Sequence, residues 1–210
     1  MPIPTATYVE QNERWPRAGR HILAHYDDQT VIVYQAYCPE IGHFAAKRGY
    51  FGGDFSYSRM SWIKPNFLWM MYRSSWGSAQ GQEVVLAVRL RRAFFDSLLR
   101  DAVASSFGAS GLDDRDEWKR AVASSDVRLQ WDPDHYPSGG KCERRAIQLG
   151  LRGERLAAYG KDEVEEIIDV SHFVAKQSRC IGDKAALMTP VERVYVPEDL
   201  TVAERLGLGR

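Results

Sequence analysis

The strongest constraint on how this chain folds is a pair of β-type runs, DVRLQWD at 126–132 and RRAIQLGL at 144–151. The segment between them, PDHYPSGGKCE, carries two prolines and two glycines, which specify a turn or loop. The two runs therefore pair as a hairpin with an excursion at its tip. Two further strand patterns, QTVIVYQAY at 29–37 and QEVVLAVRL at 82–90, are separated from each other by helical patterns. Strands joined both by helices and by hairpin-type loops predict a single α+β domain over residues 1–210, with mixed or antiparallel sheets, and not a doubly wound parallel sheet.

The intervening segments read as follows. PEIGHFAAKRG predicts a short helix stopped at Gly49, and the paired glycines of YFGGDFSYSRMSW predict a turn followed by a short strand. IKPNFLWMMYRSSWG is the clearest helical pattern, with Pro65 in its first turn and Gly77 as its stop. RRAFFDSLLRDAVASSF places Phe94, Leu98 and Ala102 on one helical face. Residues 108–126 predict a polar loop with a short helix around Trp118. DEVEEIIDVSHFVAKQSR reads as an amphipathic helix with Val164, Ile167, Ile168 and Val174 inward and the acidic run Asp162 to Asp169 as its solvated face. A strand and a short helix close the chain in VERVYVPEDLTVAERLGL.

With 28 cations against 28 anions and 44% apolar residues, the composition is that of an ordinary globular domain and excludes a bulk polyanion-coating role. No run approaches the roughly 18 apolar residues of a membrane helix, and the first residues lack a secretory pattern, so no membrane association and a cytoplasmic location are expected. Cys38, Cys142 and Cys180 have neither disulfide-framework nor zinc-ligand spacing. His21 and His25 stand four apart without an HExxH pattern, so no metal is expected. The charge is unevenly spread: residues 14–76 hold 8 cations and 4 anions, and 21 of the 28 cations are Arg. Arg pairs bidentately with phosphates, and an anionic ligand, a nucleotide or nucleic acid, is expected in this basic first third.

Within it, RMSWIKPNFLWMMYRSSW spaces Trp62, Trp69 and Trp76 seven residues apart, which on one helix makes a single stripe. Such a stripe is either domain core or, with Arg59, Lys64 and Arg73 in the same segment, a stacking platform with phosphate contacts. The second possibility describes a non-catalytic protein that binds RNA or single-stranded nucleic acid. The same segment, together with VYQAYCPEIGHFA, QEVVLAVRLRRAFF, VRLQWDPDH and RRAIQLGL, resembles the bacterial and fungal family catalogued as domain of unknown function 4291. That resemblance spans essentially the whole chain and implies a single-domain protein of this size, with no activity attached.

A second resemblance lies in motif order. Arg20 ahead of a strand, Ser56 and Ser58 in FSYS, and Glu83 at the head of VVLAV are similar in order to the Arg, Ser-x-Ser and Gln/Glu-x-Glu elements of ADP-ribosyltransferases. Here the middle Ser-x-Ser residue is Tyr57, and Gly81 stands where the first residue of the Glu doublet would be. The resemblance implies NAD as cofactor in a cleft between two small sheets, and ADP-ribose transfer to a nucleic acid, protein or small-molecule acceptor. Arg20 would neutralise the pyrophosphate, Ser56 and Ser58 would support the nicotinamide ribose, and Glu83 would hold its 2′-hydroxyl as positive charge develops. Tyr34, Tyr37, Phe51 and Phe55 are the rings available to stack on nicotinamide, and Arg59, Lys64 and Arg73 the further cations.

A separate polar cluster, Gln130, Asp132, Asp134 and His135, falls where the first hairpin strand ends, and the second strand adds Arg144, Arg145 and Gln148. Asp132 and His135 make an acid/base or orienting pair on this reading, and Arg145 an anion holder. No phosphate-loop, dinucleotide-fold, GxSxG or kinase signature is present.

Overall fold

The computed structural model describes residues 3–209. The elements run β1 (Thr5–Thr7), α1 (Tyr8–Arg14), β2 (Gly19–Arg20), β3 (Ile22–Ala24), β4 (Thr30–Tyr37), α2 (Pro39–Arg48), β5 (Ser61–Ile63) and α3 (Phe67–Ser74). Next come β6 (Val84–Arg91), α4 (Arg92–Asp101), β7 (Val103–Ala104), a 3-10 turn, α5 (Arg115–Ser124), β8 (Val127–His135) and β9 (Lys141–Leu151). The chain closes with α6 (Gly153–Lys161), β10 (Val164–Asp169), α7 (Ser171–Ser178), β11 (Met188–Pro190), β12 (Arg193–Tyr195) and α8 (Leu200–Leu206). The fold is α+β, as expected.

Two sheets carry the architecture. An antiparallel sheet in the order β10, β6, β4 has β4 and β6 paired from Thr30 opposite Arg91 to Tyr37 opposite Val84. Both of its faces are covered: Val31, Val33, Leu86 and Val88 belong to one apolar cluster, while Ile32, Tyr34, Val85 and Ala87 belong to the other. Double burial explains why VIVY and VVLAV are continuous apolar runs and do not alternate. The second sheet is the predicted hairpin of β8 and β9, with Gln130 opposite Gln148, extended by β2, β5 and β7. The sheets share a backbone bridge, where Tyr34 N–H donates to the Lys64 carbonyl at 2.7 Å and Lys64 N–H returns to the Tyr34 carbonyl at 3.3 Å. Lys64 thus sits on the seam between them.

Two glycines set the fit of neighbouring elements. A Cβ on Gly42 of α2 would lie 2.4 Å from the Val84 side chain, so this helix reaches β6 only through a glycine. On β9, a Cβ at Gly150 would meet Met60 Sδ at 2.7 Å and the Trp62 ring at 3.0 Å. The missing side chain is what lets Trp62 lie across the strand opposite it.

Four expected elements differ. The helix expected over 91–107 ends at Asp101, with Ala102 already extended and Val103–Ala104 forming β7. The segment 51–60 is a series of turns, and the strand after it is confined to Ser61–Ile63. The helix predicted from Ile63 to Gly77 is α3 alone: Asn66 caps it by accepting Trp69 N–H at 2.6 Å, and Ser75 and Trp76 leave it with φ of 50° and 56°. Trp62, Trp69 and Trp76 therefore lie on a strand, a helix and the turn after that helix, and form no stripe. The amphipathic helix expected over 162–179 is a strand, β10, followed by α7. Val164, Ile167 and Ile168 satisfy helical spacing, but β6 has an open edge there, and pairing along it gives the segment a backbone ladder and buries Ile167. Arg89 pairs with Glu166 at 3.2 Å, and Arg91 with Glu165 at 2.7 Å and Glu163 at 3.5 Å. The acidic run is a cross-strand partner, not a solvated helix face. No described helix is long and apolar enough to cross a membrane.

Candidate functional site

A cavity of about 380 Å³ opens between the two sheets. Gln35 and Tyr37 reach it from β4, Ser61, Trp62 and Lys64 from β5 and its end, Arg73 from α3, Gln82 from the turn ahead of β6, and Gln130 and Gln148 from β8 and β9. Its floor is locked by hydrogen bonds. Tyr159 O–H donates to Gln35 Oε1 at 2.6 Å, and the Gln35 amide donates to Ser61 Oγ at 2.8 Å and to the Trp62 carbonyl at 3.2 Å. Tyr37 and Ser61 share a hydrogen bond of 2.7 Å, and burial pushes the Tyr37 phenol well up, so it stays protonated.

Lys64 is the exceptional group. It is 5% exposed, yet its ammonium makes one hydrogen bond, to the Trp62 carbonyl at 3.3 Å, and no ion pair among the described residues. Burial drives its pKa down to about 8, and nearby Arg73 pushes in the same direction, against the opposing pull of Asp132. Arg73 faces the same space with no carboxylate partner among the described residues. An unpaired cation costs several kcal/mol to bury, so Lys64, with the exposed Arg73 beside it on the same cavity, makes a place for an anion.

Across the cavity, Asp132 accepts the Gln130 amide at 2.9 Å on one oxygen and the Gln148 amide at 2.7 Å on the other. The carboxylate stands behind the two glutamines, which present themselves to the cavity.

The other expected residues distribute as follows. Arg20 lies on β2, beside Arg145 of β9, where it donates to the Leu206 carbonyl and stacks on Trp131 at 5.8 Å. Arg20, Arg145, Ser105, Ser106 and Trp131 line a separate hollow of about 240 Å³ that touches the main cavity's lining at Gln130. Ser56 and Ser58 are exposed and bond each other at 2.9 Å, and Glu83 is exposed and accepts the Gly81 N–H at 2.8 Å. Arg20, Ser56, Ser58 and Glu83 thus share no cavity. Tyr34 and Phe55 are core residues, at 0% and 7% exposure, so neither offers a free face to a ligand; nor does the buried Phe51. Arg59 is exposed outside the cavity. His135 does not pair with Asp132: its ring is buried against Tyr72, with centroids 3.5 Å apart, and against Trp69, and burial holds it toward the neutral form.

The expected residues that do converge are Tyr37, Trp62, Lys64, Arg73, Gln130 and Gln148. Gln35 was missed as a site residue, although a lone amide inside the apolar run VIVYQAY is itself a signal, since such a group needs buried partners. No curated protein matches the sequence. The family model described as domain of unknown function 4291 matches residues 21–195, a span that contains every residue lining the cavity, and the chain belongs to that family.

Proposed function

We propose that the cavity between the sheets binds a nucleotide-class anion, with its phosphates on Lys64 and Arg73 and its ring against Trp62 or Tyr37. The observation that carries this reading is Lys64, a buried ammonium that opens on a polar cavity without a carboxylate in contact. A volume of about 380 Å³ lies at the small end of the usual ligand range of about 300–1,000 Å³, which suits a mononucleotide or one half of NAD. NAD remains the first dinucleotide to test, because the motif order resembles ADP-ribosyltransferases and the cavity lies between two sheets. In this cavity, however, the weight falls on Lys64 and Arg73, and not on Arg20, Ser56, Ser58 and Glu83. An enzymatic turnover would draw on the same lysine, whose neutral fraction near pH 8 can accept a proton.

Titration calorimetry with pyrophosphate, ADP, ADP-ribose and NAD tests the proposal. Binding is expected for the wild type, weakened at least tenfold by Arg73→Ala and abolished by Lys64→Met. Absence of binding by all four compounds, or unchanged affinity in both variants, overturns it. The single-strand nucleic-acid reading has less support: Trp69 is 6% exposed and Trp76 donates to the Pro137 carbonyl, leaving Trp62 as the one tryptophan of the three that lines the cavity beside the two cations.

A further inference from the structure

The side of the cavity facing the cations is built to accept hydrogen bonds. Asp132 is the reason. A carboxylate accepts and never donates, so each of the two amides bonded to it must turn its NH₂ group toward it. Both glutamines line the cavity, and with their Nε2 atoms turned to Asp132 their Oε1 atoms accept no hydrogen bond among the described residues. Gln130 and Gln148 are directly opposed in the β8–β9 ladder, on the same face of the sheet. The result is two carbonyl acceptors held side by side, with Gln35 kept apart by its own bonds to Tyr159 and Ser61.

We propose that Gln130 and Gln148, oriented by Asp132 as a positioning residue, select a ligand carrying a vicinal diol, the 2′,3′-hydroxyls of a ribose. Two adjacent hydroxyls supply two donors to two adjacent acceptors, whereas an ionised phosphate supplies none, and an amino group, which could also donate twice, is absent from the phosphate–ribose end of a nucleotide. This inference rests on the anion reading of Lys64 and Arg73 and assigns the opposite end of the same ligand. It makes the cavity selective for ribonucleotides over their deoxy analogues. A site built to bond hydroxyls penalises a ligand that lacks them, because its own polar groups are left unpaired.

The test compares three probes, inorganic pyrophosphate, ADP and 2′,3′-dideoxy-ADP, on the wild type, Asp132→Asn and Gln148→Met, with thermal unfolding as a check that each variant folds. The wild type is expected to bind ADP at least tenfold more tightly than the dideoxy analogue. In Asp132→Asn the new amide donates to one glutamine and forces it to turn its NH₂ toward the cavity. The preference, read as the ratio of ADP to dideoxy-ADP affinity within each variant so that the lost Asp132 charge near Lys64 acts on both alike, should then fall to within about twofold to threefold. Gln148→Met, which leaves the Asp132–Gln130 bond in place, should lose part of the same preference. If the wild type binds pyrophosphate but does not distinguish the two nucleotides, or if both variants keep the full preference, the diol assignment is wrong. If neither pyrophosphate nor ADP binds, the anion reading fails and takes this inference with it.

Discussion

Lys64 and Arg144 are both buried cations, at 5% and 4% exposure, and their surroundings are opposite. Arg144 is paired with Asp134, Nε at 2.7 Å and Nη2 at 2.5 Å, and its remaining nitrogen donates to the Pro16 carbonyl at 2.6 Å. Its plane also lies over the Trp15 ring at 5.5 Å. Every donor group is used, and the arginine ties the hairpin to the segment after α1. Lys64 has one backbone acceptor and an open cavity. Burial and charge are thus common to both, and what separates a structural cation from a site cation is whether the protein itself supplies the counter-charge.

The largest way to break this comparison is to remove the counter-charge that exists. Asp134→Ala leaves Arg144 buried and unpaired and is expected to cost about 3–5 kcal/mol of stability in denaturant unfolding. A cost below about 1 kcal/mol would mean that Arg144 finds water and that the two cations are not different in kind. Lys64→Met should do the reverse at pH 7, stabilising the ligand-free protein by roughly 1–3 kcal/mol.

The pH dependence sharpens the second expectation. Lys64 has a folded pKa near 8, lowered from 10.5, so between those values the unfolded chain binds more protons than the folded one. Stability therefore rises as pH increases from about 8 toward 10.5, and the cost of burying the charge is fully present below pH 8. Unfolding midpoints measured from pH 7 to 10 should show that rise in the wild type and lose it in Lys64→Met. The smallest effect belongs to a cation that is paired and exposed: Glu165→Gln removes one partner of Arg91 and should cost about 0–1 kcal/mol, less at high salt. A larger loss there would show that exposed pairs also carry the fold.

Much of the fold is written locally in the chain. Pro137, Gly139 and Gly140 do mark the turn between β8 and β9, although Pro133 lies inside β8, and Gly49 does stop α2 at a φ of 76°. The element that misleads is β10, because Val164, Ile167 and Ile168 fit a helix as well as a strand, and the choice is made by the open edge of β6, far away in the sequence. The site was half legible for the same reason. Lys64 and Arg73 stand out as cations in an apolar segment, and Gln130 as a polar residue near a strand end. Nothing local tells that Arg144 will meet Asp134 and be spent, or that Arg20 will turn to Leu206 and Trp131, away from the cavity. Partner identity is a property of the folded sheet, and it decides which of 21 arginines are free to serve a ligand.

The claim that Lys64 waits for an anion is tested most directly by its proton. A bound phosphate raises the lysine's pKa above 8, so binding near pH 8 must draw a proton from solution. Calorimetric titration of pyrophosphate at pH 8 in two buffers of different ionisation enthalpy measures that uptake. The account predicts uptake of about half a proton per site in the wild type, beyond any proton exchanged by the ligand in a Lys64→Arg control, whose guanidinium stays charged throughout. Binding with no lysine-dependent proton uptake would contradict it.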